Sequence, residues 1–314
     1  MTKGTQPPVL ILAFLRHHGV KRLIESCLEN DVSRIYISID GPRSDSDRST
    51  QQEMLEIIQE FRTVAPTQIF VQRHEQNLGV GVGVISGLDW FFSHEDSGHI
   101  LEDDLHVDSN FFAFSRLALL EFADHELVKM ISGSQLIPIV PTGNNAHWSN
   151  YPMIWGWSSW SNKWKEMRDG LLQKKSFVCF RKDSDVINFW TVGANRVLDG
   201  KVDTWDTPLA AEFHRQKWLC IIPPSNLVTN SGDDQQAFHT KGDTFGMNLP
   251  ISKLLPDVDF NSLSSPEFVD SYNKKLEKIV FKVKKRHFFS PLYSSFSKRN
   301  QLILKKAPLI ERLV

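Results

Sequence analysis

Hydrophobic and polar positions fall into two alternating periods along the first half of the chain. Residues 9–14 (VLILAF) form an unbroken apolar run that ends at Leu15-Arg16, the pattern of a strand buried on both faces. From Val20 the apolar residues recur at Leu23, Ile24, Cys27 and Leu28, the spacing of a helix packing one face. A second strand is expected over 35–39, stopped by Asp40-Gly41-Pro42-Arg43. A helix marked by Met54, Leu55, Ile57, Ile58 and Phe61 and a strand over 69–71 follow. Asn77-Leu78-Gly79-Val80-Gly81-Val82-Gly83 then opens a helix through Leu88, Trp90 and Phe91. Ile100 and Leu101 read as the end of a further strand, with a helix over 111–122 and a strand over 128–132 beyond it. Strands alternating with helices predict a Rossmann-like, mostly parallel mixed α/β sheet flanked by helices.

The second half is less regular. Residues 151–160 place Trp155, Trp157 and Trp160 around Gly156, with Trp164 a turn later. Indoles in such a cluster serve either as a rigid packed corner or as a flat wall for a sugar face. A helical pattern over 186–198 leads to Thr204-Trp205-Asp206 and a helix through Phe213, then a strand over 220–222. A polar loop runs from Asn226 through Asp234 towards His239. The expected organisation is a catalytic domain over 1–250, divided into a nucleotide-sugar half (1–130) and an acceptor half (131–250). A linker over 251–272 and a basic amphipathic tail over 273–314 complete it.

Charge changes this picture at the end of the chain. The net charge of −1 over 314 residues hides an asymmetry. Residues 273–314 hold 12 Lys and Arg against 2 acids, a net of +10, so the remaining body carries −11. Apolar Leu276, Ile279, Val280 and Val283 at helical spacing among lysines, followed by Phe288, Phe289 and Tyr293, suit an anionic membrane surface. A solvated, partner-binding helix is the rival, and base-stacking motifs for nucleic acid are absent. Three scattered cysteines offer no disulfide framework or zinc spacing. The first residues lack the pattern of a signal peptide, and no apolar run reaches the roughly 18 residues of a spanning helix. The expectation is a cytoplasmic protein, peripheral on the inner face of the cytoplasmic membrane.

The chemistry is concentrated at Glu102-Asp103-Asp104, three consecutive acids at a strand end. Loops at the carboxyl ends of strands build ligand sites in open α/β sheets. Adjacent acids resist joint ionisation unless a cation or donor groups compensate, which a hard divalent ion carrying phosphate oxygens would do. A solvated turn is the plain alternative. The glycine loop at 77–83 lacks the dinucleotide fingerprint and the P-loop lysine, so it serves either to cradle phosphate or to pack a helix closely on the sheet.

Taken in order, the strand ending in Arg16, Asp40-Gly41, Asn77-Leu78-Gly79, Leu101-Glu102-Asp103-Asp104-Leu105 and Trp155-Gly156-Trp157 resemble GT-A-fold glycosyltransferases related to the N-acetylglucosaminyltransferase I family. The likeness extends to bacterial surface-polysaccharide enzymes through Thr204-Trp205-Asp206 and Asn226-Leu227-Val228-Thr229-Asn230…His239-Thr240, and covers about residues 9–245. The resemblance implies a metal-dependent inverting transfer of a sugar from a nucleotide-diphosphate donor, UDP-linked, to a glycan or lipid-linked glycan. It implies Asp104, with His239, as ligand of Mn²⁺ or Mg²⁺, Asp103 at the nucleoside and Glu102 at a donor-sugar hydroxyl. Asp40 would take the base, Arg16 would lie along the nucleotide, and Asn77, Gly79, Trp157 and Trp205 would complete the donor site. Asp206 would be the general base. Two departures stand out. Val82-Gly83-Val84 replaces the basic residue many relatives carry after the glycine loop, and Ser231-Gly232-Asp233-Asp234-Gln235-Gln236 replaces a Gly-Phe-Gly-Glu-Asp-like stretch. A nucleotidyltransferase making a nucleotide-sugar, or a non-catalytic sugar-binding protein of the same fold, are the alternatives.

Overall fold

A computed structural model describes residues 5–137, 145–172, 184–231, 248–251, 258, 260 and 266–283. The elements run β1 (Val9–Ala13), α1 (His17–Glu29), β2 (Arg34–Ile39), α2 (Asp45–Val64), β3 (Gln68–Arg73), α3 (Gly79–Phe92) and β4 (Ser97–Glu102). They continue with β5 (Leu105–Val107), α4 (Ser109–Glu121), β6 (Val128–Ser132), β7 (His147–Ser149), β8 (Trp157–Trp160) and α5 (Ser161–Leu171). The last are α6 (Asp185–Leu198), α7 (Asp206–Gln216), β9 (Leu219–Ile222), β10 (Val228–Asn230) and α8 (Pro266–Lys275), which runs on into a π-helical turn, Leu276–Val280.

Eight strands form one mixed sheet in the order β3-β2-β1-β4-β8-β6-β9-β7. The β3-β2-β1-β4 half is wholly parallel, and β8 enters antiparallel between β4 and β6. The expected mixed α/β architecture is therefore present. Every residue of β1 is buried, and its side chains alternate between the two faces. Val9, Ile11 and Ala13 pack with α1, α2 and α4, whereas Leu10 and Leu12 pack with Ile85, Leu88 and Phe91 of α3. This is why β1 reads as a continuous apolar run: helices cover both of its sides.

The region around Trp155–Trp160, read from sequence as either a rigid packed corner or a flat wall for a sugar face, supplies strand β8 at Trp157–Trp160. The polar stretch from Asn226 contains β10, which pairs antiparallel with β5 and sets Asn230 opposite Leu105. Neither three- or four-residue strand is long enough to show a period.

From β1 the chain moves to β2 and β3 on one side and then to β4 on the other. The gap between the carboxyl ends of β1 and β4 is therefore a topological switch point, where open α/β sheets bind ligands. Arg16 follows β1 and the acidic triplet begins at Glu102, the last residue of β4, so both stand at that point. The approach of these two loops is close: a β-carbon on Gly19 would lie 1.7 Å from the carbonyl oxygen of Asp103.

Candidate active site

The three acids of the triplet do three different things. Asp103 turns back into the body and is 5% exposed. Its Oδ2 accepts from the backbone N–H groups of Phe14 (2.8 Å) and Arg16 (3.3 Å), and its Oδ1 accepts from Arg16 Nη1 at 3.2 Å. It thereby ties the loop after β1 to the loop after β4. Burial raises its pKa against the pull of Arg16 and the Phe14 N–H. Glu102 lacks such partners: its Oε1 is buried and takes no hydrogen bond among the described residues. Burial, then the charges of Asp104, Asp103 and Asp206, push its carboxyl well above the usual range, with Arg16 opposing them. Asp104 lies 3.9 Å from Arg16 Nη1, and its backbone carbonyl accepts from Ser231 N (3.0 Å) and Ser231 Oγ (3.1 Å). The chain leaving β10 thus departs from beside Asp104.

Asp40, at the end of β2, organises the glycine loop. Its Oδ1 accepts from Gly41 N and Leu78 N, both at 2.8 Å. Its Oδ2 accepts from Asn77 Nδ2 (2.9 Å) and Gly79 N (3.1 Å). A carboxylate offers about four acceptor sites, and all are used, so a nucleobase would have to displace one of these donors. Burial raises the Asp40 pKa, and the Leu78, Gly41 and Gly79 N–H groups pull it back.

The next two N–H groups of the same helix are also taken. Val80 N and Gly81 N each donate at 3.0 Å to the carboxylate of Asp203, more than a hundred residues away. Leu78, the residue before α3, makes no side-chain cap, so Asp40 and Asp203 together satisfy the donors a helix start leaves open. The positive φ of Gly79 (80°) suits glycine, and a β-carbon there would meet Asp203 Oδ2 at 2.3 Å. The N–H groups that the sequence offered to a phosphate are held here by protein carboxylates.

Asp206 opens α7, where a negative charge is favoured by the helix dipole. Its Oδ1 accepts from Thr204 Oγ1 (2.5 Å) and Thr207 Oγ1 (3.1 Å). It is close enough to Glu102 to raise that group's pKa, so residues a hundred positions apart share one field. Asp206 also lines a cavity of about 240 Å³ together with Tyr151, Trp155 and Trp190.

The four indoles of the 155–164 region separate by role. Trp155 is half-buried and faces that cavity. Trp157 is fully buried, stacks on Trp205 with centroids 5.8 Å apart, and keeps a buried Nε1–H without an acceptor among the described residues. Trp160 donates to Leu119 O and carries Lys163 Nζ 3.5 Å above its ring. Trp164 donates to Asp89. Trp157 and Trp205, expected at the donor sugar, are both at most 3% exposed and pack on each other in the core.

The structure therefore gathers Arg16, Glu102, Asp103, Asp104 and Asp206 at one sheet edge and groups Asp40, Asn77 and Gly79 in the neighbouring loop. His239 lies outside the described residues. Arg22 of α1 is a member that sequence reasoning missed. Its Nη2 donates to Leu105 O (3.2 Å), its pKa is lowered by burial, and Asp104 and Asp103 pull it back up. A polar residue on a packed helix gives no pattern that distinguishes it from a solvated one. Asp203 likewise had no signal beyond sitting three residues before Asp206.

Four carboxylates face two guanidiniums at this edge, an excess of negative charge, with the buried Glu102 Oε1 unpartnered among the described residues. That fits a hard cation. Among the described residues no three His, Cys, Asp or Glu side chains gather closely enough to hold a metal alone. Oxygens of a bound ligand would have to complete the shell, as is usual for Mg²⁺ bridging one or two carboxylates to phosphates.

No protein-family model and no curated protein sequence matches the chain. Solved structures that overlap it include HddC from Yersinia pseudotuberculosis, at 13% identity and a TM-score of 0.28, over 45% of this chain and 59% of that one. The same figures hold for HddC complexed with GMP-PN. A Bacillus anthracis protein described as a glucose-1-phosphate thymidylyltransferase, in complex with a sucrose, overlaps at 11% identity and a TM-score of 0.31, over 52% of this chain and 74% of that one. The chain spans about three fifths of the length of HddC. Overlaps this partial carry no weight about function.

Proposed function

We propose that the chain is a metal-dependent inverting glycosyltransferase that moves a sugar from a UDP-linked donor to a hydroxyl of a glycan or lipid-linked glycan in surface polysaccharide synthesis. The observation that carries this reading is the convergence of Glu102, Asp104 and Asp206 at the switch point, where the buried Glu102 Oε1 has no partner among the described residues. Asp104 would hold Mn²⁺ or Mg²⁺ against the donor diphosphate, with His239 as a further candidate ligand. Such an ion supplies Lewis-acid stabilisation of charge on a departing diphosphate. Arg16, placed between Asp103 and Asp104, would lie along the nucleotide. Glu102 would accept a hydroxyl of the donor sugar, for which its unpartnered oxygen is suited. Asp206 would take the acceptor proton. Thr204 and Thr207 hold its Oδ1, so its orientation is set before the acceptor arrives. Asp40, Asn77 and Gly79 would shape the donor loop, and Asp103 would brace the nucleoside side.

Among the described residues no helix is long and apolar enough to cross a membrane. The basic residues of 273–314 support a peripheral attachment to anionic lipid on a cytoplasmic face. Because Tyr272, Asn273 and Leu276 are buried in the body, the test of that attachment is a chain ending at Val283. It should leave anionic vesicles while the full chain stays bound.

A panel of nucleotide-sugars with Mn²⁺, read as protection against thermal unfolding and then as slow donor hydrolysis, tests the catalytic reading. One donor should protect and be hydrolysed. Release of pyrophosphate from a nucleoside triphosphate and a sugar 1-phosphate would assign the chain to the nucleotidyltransferases instead. Protection without turnover in any acceptor mixture would make it a sugar-binding protein.

A further inference from the structure

The cavity beside Asp206 has a wall that its position in the chain does not foretell. Phe281, just past the π-helical turn, stacks on Tyr151 with centroids 4.7 Å apart and 16° between planes, and meets Trp190 edge-on at 5.0 Å. The segment that carries it is anchored. Tyr272 Oη donates to Gln135 Oε1 (2.6 Å), Asn273 Oδ1 accepts from Ser149 Oγ (2.8 Å), and Leu276 is fully buried. Tyr151 Oη lies 3.3 Å from Glu277 Oε1, which keeps the rim of the pocket on the same segment.

We propose that the segment from Tyr272 to Phe281 closes an acceptor pocket beside Asp206, and that this pocket selects a single sugar ring poor in hydroxyls, such as a 6-deoxyhexose. The inference rests on the reading of Asp206 as the base. About 240 Å³ is below the roughly 300–1,000 Å³ of sites for drug-sized ligands, which limits the occupant to one ring. The rings of Tyr151, Trp155, Trp190 and Phe281 line it, with Asp206 and Ser134 as polar side chains. A sugar whose reacting hydroxyl meets Asp206 must lay its remaining surface against those rings. The apolar C–H face of a sugar suits them, and each further hydroxyl driven in without a partner loses its hydrogen bonds to water with nothing in return. A methyl in place of a hydroxymethyl removes one such group.

The change in intrinsic tryptophan fluorescence on binding reads the pocket, because Trp155 and Trp190 line it. The probes are matched pairs of methyl hexosides and methyl 6-deoxyhexosides, titrated into the full chain without nucleotide. The expected result is saturable binding in which the deoxy member of one pair is tighter by about tenfold or more, the factor that roughly 1.4 kcal/mol produces. Phe281→Ala and, separately, Trp155→Leu should abolish that gap. Trp155 is half-buried, so its substitution keeps the test valid if the Phe281 variant unfolds. Equal affinity within every pair, tighter binding of the parent hexoside, or unchanged affinities in both variants would overturn the inference. No nucleotide is present, so failure here leaves donor protection unaffected, whereas failure of the catalytic reading appears as lost donor protection with the hexoside gap intact.

Discussion

Asp40 and Asp103 differ from Glu102 and Asp206 in what surrounds them, although all four carboxylates belong to the same sheet edge. Asp40 holds four donors and Asp103 three, all from the loops they tie together. Among the described residues, the buried Glu102 Oε1 has no partner, and Asp206 takes two neighbouring threonine hydroxyls, both on one oxygen. Saturated acids fix backbone, because their acceptor sites are filled by groups that folding itself brings to them. Acids that face one another with acceptor sites left open hold an electrostatic deficit that a ligand or cation relieves. The first pair is scaffold on this account, and the second is chemistry.

Substitutions on the two sides should then fail in opposite ways. The largest effect is expected at Asp206. Asp206→Asn should lower sugar transfer by about 10²- to 10⁴-fold, the usual contribution of a positioned acid or base, while donor protection in thermal melts is retained. Near-normal turnover would move Asp206 to the scaffold side. Asp40→Ala should instead act on stability. It orphans three backbone N–H groups and removes one of the two acceptors of the Asn77 amide, and urea denaturation should register a loss of more than about 2 kcal/mol.

The acceptor side carries its own signature in acid. His214 is packed against Tyr151 at 4.5 Å, its Nε2 has no partner among the described residues, and burial lowers its pKa to about 4. Below about pH 6.5 the unfolded chain takes up a proton that the folded chain refuses until about pH 4. Stability is therefore lost as pH falls through that window. His214→Phe should flatten the slope by up to about 1.4 kcal/mol per pH unit, seen in denaturation midpoints between pH 7 and 4. Asp203→Ala should have the smallest effect, about 1 kcal/mol, the typical value of a helix N-cap. Since Asp203 links α3 to the loop carrying Asp206, that variant should also loosen amide-exchange protection at Val80 and Gly81.

Much of this arrangement was legible in the chain. The apolar run of β1, the one-faced helices and the acid-bearing strand end gave the alternating architecture and located the switch point, because continuous burial and helical periodicity leave strong marks. The short antiparallel strands β5, β7, β8 and β10 left none, since three or four residues cannot display a period. At the site, Arg16, Glu102, Asp104 and Asp206 were named from sequence and do converge. Arg22 and Asp203 were not, because their partners are distant and their types are common on any helix or loop. The segment from Tyr272 to Phe281 was read through its lysines as linker and tail. Its buried contacts are made by Tyr272, Asn273 and Leu276, whose spacing is hidden among those charges.

The most direct test of a cation-holding, donor-binding role for this sheet edge is calorimetric titration of UDP, with and without Mn²⁺, into the wild-type chain and Asp104→Asn. The account predicts Mn²⁺-dependent binding to the wild type and its loss in Asp104→Asn, with folding intact. Equal binding to both proteins, or binding indifferent to Mn²⁺, would contradict it.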